Sequence, residues 1–203
     1  MSDARGVSWI RVLDNIVGLI VIIVAIVAVL ELTFSFVYAL EVLLVGLLVM
    51  GIAWVIMGIY VLRAYPYARL FMIITGFVAI AISLLDLIFI TLPLDYLIIY
   101  PTIAMLLVGS SRLVLGFFVA EIPVWIRMLQ ILVGFLTINL AAFVFIFPTF
   151  SFHSIIILLV IAFLANGLVR LIVSLTDVKE KIMQTSQDEK TSEVSPDEAN
   201  FEV

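Results

Sequence analysis

The chain has 203 residues, 66% of them hydrophobic and 12% charged, with a mean hydropathy of +1.37. Soluble domains run at about 45–50% apolar and about 25% charged, so this composition belongs in a bilayer. The net charge of −5 lies wholly in residues 177–203, residues 1–176 balancing seven acids against seven arginines, and the lack of Cys excludes disulfides, thiol chemistry and Cys-based metal sites.

Six apolar runs follow one another, each long enough to cross about 30 Å of hydrocarbon as a helix. The first, 9–30, opens with Trp9 and carries Arg11, Asp14 and Gly18 on one face, so Arg11 and Asp14 can pair within the helix. It is too long for a signal peptide and has no small-residue cleavage site. The second, 39–62, carries Gly51 and Gly58 nearly on one face, with Trp54 between them. The third, 69–90, follows Tyr67, starts at Arg69 and carries Gly76; Asp86, near its outer end, is expected at wet, interfacial depth. In the fourth, 97–119, Pro101 falls in the first turn, where a missing N–H costs little, and Gly109, Arg112 and Gly116 follow. The fifth, 125–147, starts with Trp125 and Arg127 and carries Gln130, Gly134 and Asn139. The sixth, 152–175, carries Asn166, Gly167, Arg170 and Ser174, with His153 in the TFSFHS stretch of the last outer loop. Pro66, Pro93, Pro123 and Pro148 punctuate the breaks. The first, third and fifth loops contain no Lys or Arg, which predicts both termini on the cytoplasmic side of the plasma (cytoplasmic) membrane.

A period of 58 residues runs through these spans. Arg11, Arg69 and Arg127 obey it, as do Gly18, Gly76 and Gly134, and Gly51, Gly109 and Gly167. Trp9, Tyr67 and Trp125 keep an aromatic in register, Gly58 and Gly116 are followed by Ser174, and TFSF occurs at 33–36 and 149–152. Eight of the ten glycines fall on these registers. The expected fold is therefore an all-α transmembrane six-helix bundle of three helical hairpins (8–65, 66–123 and 124–176), related by a pseudo-threefold axis along the membrane normal. Aromatic and Arg residues at the start of the odd helices suit headgroup anchoring, and the glycines suit close helix packing. Residues 177–203 form an acidic tail expected to be disordered and cytoplasmic, a candidate docking segment for a protein partner.

The patterns WIRVLDNIVG, GIAWVIMG, GSSRLVLG, WIRMLQILVG and GLVRLIVS resemble the HdeD-like acid-resistance membrane proteins over roughly residues 8–176. That resemblance implies an integral membrane protein linked to stress or acid tolerance. It supplies no catalytic residues.

Ionisable residues inside a span are expensive and are functional candidates by default. Arg112 and Arg170 occupy equivalent positions, with Trp54 in the first copy, and Asp14 lies at a similar depth as their best partner. Together they suggest a cytoplasm-facing charged vestibule suited to an anion or a lipid headgroup; the alternative is that each Arg snorkels to the headgroups as an anchor. Asn139 and Asn166, near mid-membrane, are expected to hydrogen-bond between the fifth and sixth helices. Imidazole is the side chain suited to sensing mildly acidic pH, which makes His153 a candidate sensor, although a lone exposed His is usually idle. No nucleophile–base or metal constellation is present, so no catalytic residue, cofactor, metal or nucleic-acid partner is expected, and the lipid bilayer is the expected environment. The function expected is a structural or interaction role in the membrane, with a small transporter or channel near Asp14, Arg112 and Arg170 as the alternative.

Overall fold

A computed structural model describes residues 3–62, 65–89, 94–119, 123–147 and 152–175. They form six α-helices: α1 (Asp3–Leu32), α2 (Phe36–Tyr60), α3 (Pro66–Ile88), α4 (Leu94–Phe118), α5 (Val124–Ile146) and α6 (Phe152–Leu175). Each contains a stretch of at least 21 residues apolar enough to cross a membrane. A run of 21 residues spans about 32 Å as a helix, which matches the hydrocarbon thickness. The chain is a multi-pass integral membrane protein. The acidic tail, and the side chains of Trp9 and Arg11, lie outside the described residues.

Short connections force sequential helices together. Each helix packs on the next in the chain, and α6 packs on α1, so the bundle closes on itself; the most extensive contacts are α4–α5, α2–α3 and α1–α6. At each of those three interfaces at least two glycines let backbones approach, which lipid-solvated helices need because water supplies no drive for their association. A Cβ on Gly51 would lie 2.9 Å from the Gly76 carbonyl oxygen, one on Gly109 2.9 Å from that of Gly134, and one on Gly167 3.2 Å from that of Gly18. Gly58 and Gly116 lie similarly against the Arg69 and Arg127 carbonyls, at 3.2 and 3.1 Å. In the α1–α6 interface Ser174 stands at that position and donates a hydrogen bond to the Asn15 side chain.

Large apolar side chains coat the outside, among them Leu132, Phe77 and Phe135, as a lipid-facing surface requires. The odd helices bury narrow stripes instead. That of α3 is Ala68, Met72, Thr75, Gly76, Ala79, Ser83 and Asp86; that of α5 is Ile126, Gln130, Val133, Gly134, Thr137, Ala141 and Val144. Spacings of three and four place each set on one helix face.

Two expectations change here. Pro101 is not in a first turn, because α4 begins at Leu94 and places it inside the helix. Its missing N–H leaves the Leu97 carbonyl without its usual donor. Asp86 is not wet: it lies on the inward stripe of α3, fully buried, and neither carboxyl oxygen has a hydrogen-bond partner among the described residues.

Candidate functional site

A set of polar side chains, with Trp54 and Met72, converges at one level of the bundle. Trp54, Arg112 and Arg170 sit five or six residues before the ends of α2, α4 and α6, and Met72 and Gln130 six residues after the starts of α3 and α5. At 1.5 Å per residue this level is about 8–9 Å from one end of the bundle. It is the end that carries the α2–α3 and α4–α5 connections.

Arg170 is 5% exposed, and its Nη1 donates to Asp14 Oδ1 at 2.9 Å, a buried ion pair joining α6 to α1. Arg112 is 2% exposed and takes different partners. Its Nε donates to Asn166 Oδ1, its Nη2 to the Asn166 carbonyl at 2.8 Å, and its Nη1 to Gln130 Oε1 at 2.7 Å. Asn166 extends the network by donating to Thr137 Oγ1 at 3.0 Å and to the Ala162 carbonyl at 2.7 Å. The Trp54 ring lies beside both guanidinium groups, 5.9 Å from Arg112 Cζ and 5.6 Å from Arg170 Cζ, within cation–π reach. Just above, Thr75 and Ser111 share a 2.7 Å hydrogen bond between α3 and α4.

The two arginines thus face inward rather than snorkelling. Asp14 is hydrogen-bonded to Arg170, whereas Arg112 is held by two neutral amides. Asn139 departs from expectation: it is exposed and donates to the Phe135 carbonyl of its own helix at 2.8 Å, so it takes no part in the network, and Thr137 supplies the α5 link to Asn166. The physical reason is helical phase, since Asn139 lies two residues, about 200°, off the buried stripe. His153 is exposed in the first turn of α6. Tyr67, Arg69 and Trp125 are exposed near the starts of their helices, and Arg127, half-buried, donates from Nε to the Gly116 carbonyl at 3.0 Å.

A cavity of about 20 Å³ opens among these side chains, lined by Asp14, Met72 and Gln130, by Trp54, Arg112 and Arg170, and by Met57, Leu115 and Val173. About 10–15 Å³ is enough for one water. Ten residues along from Trp54, Arg112 and Arg170 in the other direction, the bundle is packed by buried Leu44, Thr102 and Val160; seven residues along, Leu47, Met105 and Phe163 are all buried.

Trp54, Gln130 and Thr137 were not singled out by sequence as site residues. The signal for two of them was register: Gln130 is 116 residues from Asp14, and Trp54 is 58 from Arg112. Among the described residues no group of His, Asp and Glu could hold a metal ion. Comparison of the chain with protein-family models, curated proteins and solved structures gives no match.

Proposed function

We propose that the chain is a packed bundle of three hairpins in the cytoplasmic membrane, of the HdeD-like type, with both termini cytoplasmic and a structural or interaction role associated with stress and acid tolerance. Several registers support the hairpin reading. The buried stripe of α5 is that of α3 shifted by 58 at all seven positions, and Asp14, Val17, Gly18, Val21, Ala25 and Ala28 are the buried counterparts in α1. The nine cavity-lining residues fall into three complete sets spaced by 58, as expected of a cavity on a pseudo-threefold axis. The cytoplasmic orientation rests on the arginines, and the HdeD-like type on the motifs quoted above.

The observation that carries a packed scaffold over a permeation path is the filling of the axis. The space between the inward arginines holds about one water, and Leu47, Met105 and Phe163, themselves spaced by 58, occupy the next layer. The inward arginines favour the second reading, a small transporter or channel, but they open onto side chains rather than a path.

Purified protein in proteoliposomes tests the choice. Chloride, potassium and proton fluxes should match those of protein-free vesicles, and cells lacking the chain should survive acid challenge less well. A saturable flux lost in Arg112→Gln would replace the scaffold with a transporter.

A further inference from the structure

We propose that the cavity beside Trp54, Arg112 and Arg170 binds one halide-sized monovalent anion, chloride in the cell. Charge is the first reason. Among the described lining residues two guanidinium groups face one carboxylate, a surplus of one positive charge. The other acids whose side chains are described, Glu31, Glu41 and Asp86, lie at least 13 residues along their helices from the cavity, about 20 Å away. A guanidinium stays protonated in proteins, so the surplus cannot be relieved by losing a proton. Buried uncompensated charge is costly, and an anion removes that cost.

Hydrogen-bond supply is the second reason. Arg170 Nε and Trp54 Nε1 are buried donors without a partner among the described residues, and both side chains line the cavity. Arg112 commits three of its five N–H groups. What is missing is therefore an acceptor, and a negative one answers both deficits at once. Size is the third reason: about 20 Å³ is room for a single atom-like ion, and phosphate, close to divalent at neutral pH, would overshoot a surplus of one charge. This inference is independent of the scaffold and stress-tolerance reading.

The test uses Trp54 as its own reporter. The chain has three tryptophans, so full-length protein carrying Trp9→Phe and Trp125→Phe keeps Trp54 alone. Bromide, a heavy-atom quencher close to chloride in size, is titrated in detergent at fixed ionic strength balanced with gluconate. Quenching should saturate, and chloride but not phosphate should compete it away. Arg112→Gln should weaken half-saturation by at least about tenfold, the loss of one charge-assisted contact, while Arg112→Lys should lose less. If Arg112→Gln does not fold, the competition experiment decides alone. Linear quenching indifferent to chloride would leave a water-filled gap and overturn the proposal, as would competition by phosphate equal to that by chloride.

Discussion

Asp14→Asn probes the ion pair that ties the last helix to the first. It removes the carboxylate from a contact in which both side chains are almost fully buried, at 5% and 4% exposure, leaving the Arg170 guanidinium with an amide in its place. Removing one member of a buried pair costs about 3–5 kcal/mol, because the remaining charge stays desolvated. For a chain of this size each kcal/mol moves the unfolding midpoint by about 2–4 °C, so the expected drop is roughly 6–20 °C. Arg170→Gln should cost a similar amount. The double variant leaves two neutral amides that can bond each other, so its loss should fall short of the sum by about 0.5–3 kcal/mol. Arg112 donates to Asn166 and Gln130 rather than forming the close ion pair that Arg170 forms, so Asp14→Asn combined with Arg112→Gln should couple more weakly. Thermal unfolding of the purified protein in detergent, followed by circular dichroism, measures all of these. Plain additivity of Asp14→Asn and Arg170→Gln would refute the pair as a coupled unit and return both residues to independent anchoring.

Gly109→Leu should lower the midpoint far more than Val45→Leu at an exposed site, since overpacking costs about 1–3 kcal/mol and the nearest backbone oxygen stands only 2.9 Å from the added Cβ; equal effects would remove close approach as the reason for glycine. The absence of native Cys makes topology readable: an impermeant maleimide added to intact cells should label His153→Cys but not Tyr67→Cys, and labelling of both would contradict an orientation with cytoplasmic termini.

The spans were legible in the sequence because bilayer thickness and a backbone that must bond internally leave few alternatives for runs of about 20 apolar residues. The glycine contacts were legible through spacing alone. Arg112 and Arg170 were ambiguous, since a long side chain at that depth can reach the headgroups or turn inward, and only helix phase decides. Phase also separates the two polar residues that depart from expectation. Asn139 shares its register with Ile23 and Ala81, which are exposed, whereas Asp86 shares its register with Ala28 and Val144, which are buried. Depth along the chain placed Asp86 near the membrane surface; the stripe of small and polar residues formed by Thr75, Ala79 and Ser83 turns it inward. Partner choice within the network was not legible, because Asp14 and Gln130 occupy equivalent positions and only the three-dimensional neighbours show which Arg each receives.

Closure of the six helices into a ring is the central claim, and its critical contact is the one between the first and last helices, α1 against α6. Asn15→Cys combined with Ser174→Cys, placed where the two side chains touch across 159 positions, tests it directly in an otherwise Cys-free chain. Mild oxidation in the membrane should form an intramolecular disulfide, seen as a faster-running band that reductant reverses. Failure of this pair to cross-link, while each single cysteine still reacts with maleimide in the unfolded protein, would contradict a closed bundle.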